Sequence, residues 1–207
     1  MELAKSVSRR SRRHKLDLFL STFAPTADTT VLDVGAADAG YGGDEDFATY
    51  NFLEEHYTWP ERVTAVGLGE GRRFVERYPR TRYVKADGCD LPFDTGTFDL
   101  YHSNAVIEHV VGRGRQRAMV AEALRVARGV FITTPNRRFP IELHTRLPFV
   151  HWLPEAAAHR SYEWAGKPWA AEIELLSTRR LRELFPREAN VRIKNLGLTL
   201  VAITEAA

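Results

Sequence analysis

His144 lies two residues after Glu142, in a stretch dense in proline, aromatics and further histidines. An imidazole can take the proton of a hydroxyl near neutral pH, and a nearby carboxylate can orient the ring or compete for the role. Glu142 and His144 are therefore the candidate catalytic residues, with His102 and His109 as alternatives; a lone histidine is also commonly a satisfied structural residue. A second group of polar and small residues stands where apolar runs end. Asp33 and Gly35-Ala36-Ala37 close the run Thr30–Val34, Gly67-Leu68 follow Val63–Val66, Asp87-Gly88 follow Thr81–Ala86, and Ser103-Asn104 close Asp99–Ser103. If those runs are parallel strands of an open α/β sheet, their carboxyl ends are where a ligand binds.

The elements that must position these residues can be read in chain order. Leu16, Phe19, Leu20 and Phe23 recur at helical spacing behind the basic run SRRSRRHK, and Pro25 closes the segment, which predicts a helix over 8–24. Strand 1 is Thr30–Val34. A Gly-Ala-rich turn to Gly40 follows, where glycine lets the backbone approach a ligand without a Cβ in the way. A helix is expected over Phe47–Tyr57, its acidic Asp44-Glu45-Asp46 at the favoured end of the helix dipole. Strand 2, a helix over Glu70–Tyr78 and strand 3 come next. After strand 4 a helix is expected from Asn104, in two pieces because Gly112 and Gly114 interrupt it. Val130–Thr134 is strand 5. Ser177 is a plausible N-cap for a helix to Phe185, and Val191–Lys194 and Leu198–Ile203 pair across a turn at Asn195-Leu196-Gly197.

The ordered set VLDVG at 31–35, Asp87, Leu91-Pro92-Phe93, Phe98-Asp99 and Glu108-His109-Val110 resembles the class I S-adenosylmethionine (SAM) dependent methyltransferases, over about Val31 to Pro135. The resemblance implies a three-layer Rossmann-like α/β sandwich, with a mostly parallel seven-stranded sheet closed by a C-terminal antiparallel hairpin. It also implies SAM as cofactor, S-adenosylhomocysteine as product, and cofactor contacts from Asp33, Gly35, Ala36, Ala37, Gly67, Leu68, Asp87, Gly88, Ser103, Asn104 and His109. Asp87 would accept from the adenine amine; its other reading is a turn cap. Two departures stand out. The family prefers glycine where this chain has Ala37 and Ala39, and an acidic ribose ligand where it has Gly67, with Glu70 the nearest carboxylate. Glu108 reads as structural, holding backbone or the basic segment, and His109 faces either the pocket or the core.

A chain of 207 residues suits one domain, here 1–207, and a net charge of +2 argues for no polyanionic partner. No Asn-Pro-Pro-Tyr-type loop follows strand 4, which disfavours a nucleic-acid base as acceptor. The single Cys89 leaves no cysteine cluster for a metal, and no metal is expected; the thiol reads as a packing residue. No apolar run approaches the roughly 20 residues of a bilayer span, and no signal-peptide core follows the basic N-terminus, so the expected location is cytoplasmic. The basic run is either the solvated end of a packed helix, a flap over the site, or an arm toward an anionic substrate or membrane surface. Residues 136–170 are too long for an ordinary loop. They read as a lid with Phe139, Phe149, Trp152, Trp164 and Trp169 as its apolar surface, or as a structural subdomain or dimer contact. The expected activity is methyl transfer to a small or medium-sized acceptor, such as a sugar, lipid, quinone or natural product, at oxygen. The alternatives are a SAM-binding protein without catalysis, and a nicotinamide-dependent oxidoreductase using Gly35, Ala37 and Gly40 as its small loop positions.

Overall fold

The computed structural model describes residues 2–38 and 51–205. Seven strands form one sheet in the order β3-β2-β1-β4-β5-β7-β6. They are β1 (Val31–Val34), β2 (Val63–Gly67), β3 (Arg82–Lys85), β4 (Phe98–Asn104), β5 (Ala127–Pro135), β6 (Arg192–Asn195) and β7 (Thr199–Thr204). The first five run parallel, and β7 enters antiparallel between β5 and β6. A dinucleotide-binding sheet is built from two parallel βαβαβ halves in the order 3-2-1-4-5-6. The antiparallel β7 insertion departs from that plan.

Strand periodicity sorts the core into two faces. Val130 and Ile132 of β5, with Leu200 and Ala202 of β7, pack against α4 (Arg113–Val126) and α6 (Thr178–Arg182) through Met119, Val120, Ala123 and Leu181. Phe131, Val201 and Ile203 point the other way, onto α1 (Glu2–Phe23) and α2 (Phe52–His56). On that same face Phe74 of α3 (Arg72–Arg77) covers Ala36 and Ala65. Two layers of helix thus sandwich the sheet, as the sequence led us to expect.

Several boundaries differ from the sequence reading. The N-terminal helix begins at Glu2, so the basic run lies within it; only its later turns carry the apolar stripe, and Leu16 and Phe19 are buried. Phe19 meets Phe23, Phe131 and His102 with ring centroids 5.5, 5.4 and 5.2 Å apart. Gly40, the acidic triplet and the start of the helix expected from Phe47 lie outside the described residues. Glu70 and Gly71 precede α3 rather than opening it, and Gly71 takes a left-handed φ of 72°. The helix expected from Asn104 is only a 3-10 turn, Ile107–His109; α4 starts after Gly112, whose φ is 91°. Gly112 is therefore the break, while Gly114 sits inside α4. Ala127 opens β5 directly after α4. Ser177 caps α6 as expected, its Oγ accepting from Arg180 N.

Residues 136–173 form a small unit of their own, with α5 (Glu155–Trp164) between two 3-10 turns, Val150–Trp152 and Pro168–Glu172. Val150, Ala158, Tyr162 and Ala170 make its core. Phe149, Trp152, Trp164 and Trp169 are exposed. No helix among the described residues is long and apolar enough to cross a membrane.

Because Phe19 is fully buried and is the hinge pin between α1 and the sheet, Phe19→Ala is expected to cost about 3–5 kcal/mol of unfolding free energy. Denaturant titration checks this; a loss under about 1 kcal/mol would mean that α1 is not docked.

Candidate functional site

The carboxyl ends of β1 and β4 are drawn together. Gly35 has a φ of 114°, and a Cβ on it would lie 2.2 Å from Val106 Cγ2, so only glycine allows the turn after β1 to rest on the turn after β4. Ser103 Oγ donates to Val34 O at 2.9 Å, tying the same two ends. A Cβ on Gly88 would meet Val34 Cγ1 at 2.8 Å, which brings the β3 end in as well. Asp33, Gly35, Ala36, Ala37, Asp87, Gly88, Ser103 and Asn104 therefore line one edge, as the sequence suggested. Asn51 supports it from α2's N-terminal side: its Oδ1 accepts from Ala37 N and its Nδ2 donates to Ala37 O, at 2.9 and 3.0 Å.

Beneath α1 this edge is lined by charge. Lys15 Nζ donates to Asn104 Oδ1 at 2.5 Å, and Thr133 Oγ1 donates to the same oxygen. A small cavity, about 20 Å³ and so room for about one water, is bounded by Arg12, Lys15, Asp33, His102 and Asn104, with Leu16, Phe52 and Leu53. Burial lowers the Lys15 ammonium to about 8, helped by the Arg12 charge. Burial raises Asp33 to about 7 and raises Glu54, which faces it, well above the carboxylate range. His102 is pushed down to about 4 by burial, so its ring is neutral; its Nδ1 lies 2.5 Å from Asp33 Oδ1 and the ring stacks on Phe131. His102 is thus a packed structural residue, not a base.

The β3 end carries Asp87, whose Oδ1 accepts from Cys89 N at 2.9 Å and whose Oδ2 accepts from Arg115 at 2.6 Å. Those two bonds hold its carboxyl below its ordinary range. Cys89 reads as packing: burial and the Asp87 charge push its thiol up, away from the reactive thiolate.

At the β2 end, a Cβ on Gly67 would lie 2.3 Å from Ala36 O and 2.6 Å from Tyr83 Oη. Tyr83 Oη donates to Gly69 O, and Asp38 accepts from Gly71, Arg73 and Phe74 backbone N–H groups, capping α3 from across the sheet end. Glu70 is exposed and pairs with Lys85, the residue in register with Gly67 on β3. Leu68 is 76% exposed.

A separate polar cluster sits over the ends of β4 and β5. Glu142 is buried; its Oε1 accepts from His144 N at 2.9 Å and His144 Nδ1 at 2.7 Å, and its Oε2 accepts from Thr145 N at 2.6 Å. Burial alone would raise Glu142, but these bonds hold it down at about 2. Burial works against the His144 imidazolium, yet the Glu142 hydrogen bond and the Glu108 charge leave its pKa raised. His144 Nε2 faces Glu108 Oε1 at 3.9 Å. Glu108 is buried, takes Thr134 Oγ1–H on Oε2, and is raised by burial to about 7. The His109 ring stands perpendicular to His144 at 5.1 Å, on the exposed side, so it belongs to this cluster rather than to the core. Glu108, read from sequence as holding backbone or the basic segment, instead holds Thr134 and faces His144. Lys15 and Arg12 were legible only as members of a basic run.

The methyltransferase domain family matches residues 38–132. Among solved structures, the PH0226 protein of Pyrococcus horikoshii OT3 is similar at 15% identity, with a TM-score of 0.63 over 96% of this chain and 91% of that one. A SAM-dependent methyltransferase of Thermotoga maritima aligns at 14% identity and a TM-score of 0.61, over 100% and 94%. One from Aquifex aeolicus gives 14%, 0.53, 98% and 96%. No curated protein matches the chain in sequence. These structural likenesses show the shared fold. The matched domain supports methyltransferase activity with SAM as the cofactor.

Two predictions follow from the packing. Gly67→Asp, which would restore the missing carboxylate, is expected to destabilise by about 1–3 kcal/mol through overpacking against Ala36 and Tyr83, without tightening SAM binding. Paired thermal melts and SAM titrations check it; a variant of native stability with tighter binding refutes it. Glu142 has a depressed folded pKa, so its charged form stabilises the fold above about pH 4.5 and that contribution fades as pH falls toward 2. The stability difference between wild type and Glu142→Gln is expected to be about 2–3 kcal/mol near neutrality and to shrink below about pH 4, read by denaturant unfolding at each pH. A difference that is flat with pH would contradict it.

Proposed function

We propose that this enzyme moves the methyl group of SAM to a hydroxyl oxygen of a small or medium-sized organic acceptor. The acceptor would enter between the sheet edge and the unit formed by residues 136–173. The single observation that carries the reading is the Glu142–His144 pair, oriented by three hydrogen bonds onto one carboxylate, with His144 Nε2 directed to the cluster over β4 and β5.

The residues fit the cofactor, with one gap. The Gly35-Ala36-Ala37 turn, held flush by the Gly35 φ, lets the cofactor pass close over backbone whose N–H groups are already taken by Val66 O and Asn51 Oδ1. Asp33 with Glu54 is a buried acidic pair in which neither Glu54 carboxylate oxygen has a hydrogen-bond partner among the described residues; an ammonium group beside them would supply the missing positive charge. Lys15, held on Asn104 with its charge desolvated, suits the carboxylate of the same tail. Ser103 and Asn104 fix the β4 end beneath it. Asp87, ionised and half-exposed, accepts from the adenine amine while Gly88 keeps the backbone close. The gap is the ribose: Gly67 and Leu68 present backbone only, and His109 borders the cofactor from the acceptor side. Bound SAM supplies a methyl on a sulfonium, already reactive, so the chain's work is alignment, exclusion of water and handling of the acceptor proton. His144 is the residue at which that hydroxyl loses its proton, and Glu142 is its positioning residue.

Calorimetric titration is expected to show binding of SAM and S-adenosylhomocysteine and none of NAD. His144→Ala is expected to keep SAM affinity within about twofold while lowering kcat by about 10²–10⁴ on a hydroxyl acceptor found by screening. Binding of NAD alone would overturn the cofactor assignment, and unchanged kcat in His144→Ala would overturn the assignment of the base.

A further inference from the structure

Glu108, His109 and His144 place a carboxylate oxygen and two imidazole nitrogens within 4.8 Å of one another. Hydrogen bonding within the chain leaves two of these atoms unsatisfied. Glu108 Oε1 is buried and has no hydrogen-bond partner among the described residues, while Oε2 is taken by Thr134. A buried carboxylate oxygen left without a donor is costly, and such groups call for a ligand or ion. In the neutral form of His144 that gives Nδ1–H to Glu142, Nε2 carries the lone pair, and it faces Glu108 Oε1 across 3.9 Å. Two acceptors at that separation are too far apart to share a proton, which needs roughly 2.7–2.9 Å. They are well spaced for two ligand bonds of about 2.1 Å meeting at one cation, which span roughly 3–4 Å.

We propose that Glu108, His109 and His144 form a divalent transition-metal site, with Zn2+ as the ion that its donors suit. Two imidazoles and one carboxylate match that borderline cation, whereas Mg2+ and Ca2+ take mainly oxygen donors. The outer shell is already built: Glu142 orients His144 as a carboxylate orients a metal-bound histidine, and Thr134 holds the second oxygen of Glu108. His109 is exposed and Glu108 buried, so a fourth ligand of the ion would come from the solvent side. The inference rests on the reading of this cluster as the acceptor end of the site, and it makes His144 a ligand of the ion in place of the proton acceptor. Bound there, the ion would lower the pKa of an acceptor hydroxyl, which would release its proton to bulk water. The oxygen–methyl bond then forms as the sulfur–methyl bond breaks, leaving a neutral thioether. His144 thus serves the acceptor through the ion.

The test is calorimetric titration of chelator-treated protein with Zn2+, with Co2+ as a visible absorption probe. One equivalent per chain is expected. Glu108→Gln, His109→Asn and His144→Ala should each weaken binding by more than about tenfold, Glu142→Gln by about 10–100-fold, and His159→Ala not at all. Circular dichroism and SAM titration of each variant confirm that it folds. Absence of a stoichiometric Zn2+ site, or one that survives all three ligand substitutions, overturns the proposal. If Zn2+ does not bind but His144→Ala still loses turnover, the metal site falls and direct proton transfer to His144 stands. If Zn2+ binds through the three residues and no hydroxyl compound is methylated, the site stands and the oxygen-acceptor reading falls.

Discussion

The geometry of this enzyme hangs on one contact without a side chain. The turn after β1 rests on the turn after β4 so closely that Gly35 has space for hydrogen alone, with Val106 where a Cβ would be. That closeness makes a continuous edge from separate strand ends. It lets Ser103 reach Val34, sets Asp33 under α1, and brings Asp87 and Asn104 into the same rim. A larger residue at 35 would separate the two turns and break up the rim, whatever the other side chains did.

Around that rim the chain concentrates buried charge. Asp33, Glu54 and Glu108 are all raised by burial, and Lys15 is lowered by it. Burying ionisable groups destabilises a fold unless partners compensate, and here the partners within the chain are incomplete: Glu54 has none for either oxygen among the described residues, and Glu108 has one for two. Glu142 shows the opposite solution, three donors on one carboxylate, and its charge is correspondingly secure. Incomplete satisfaction at one end and full satisfaction at the other separates groups arranged to receive something from groups arranged to hold something still.

Much of the sheet was legible in the sequence because strand alternation and the ordered motifs report backbone geometry directly. Val31–Val34 and the hairpin at Gly197 came out within a residue or two, and the rim residues lie where strand ends predict. Other features were not legible because long-range contacts decide them. Nothing local to Asn104–Val110 says that it makes one 3-10 turn, since the break depends on Gly112 and on Glu174 N and Oε1 folding back to Glu108 O and Gly112 N. Nothing near Glu108 places it opposite His144, a residue far along the chain. The absent acid at Gly67 was visible as a departure, but its cause, Tyr83 and Ala36 occupying the space, was not.

Three of the four tryptophans, Trp152, Trp164 and Trp169, belong to the unit formed by residues 136–173, and Trp164 is 90% exposed. The fourth, Trp59, is packed beside Tyr57 under α1. Three of the four indoles therefore report on that segment, and one on the packing beneath α1. This natural labelling makes quenching and emission colour a built-in optical gauge of how that segment sits, readable without attaching a dye.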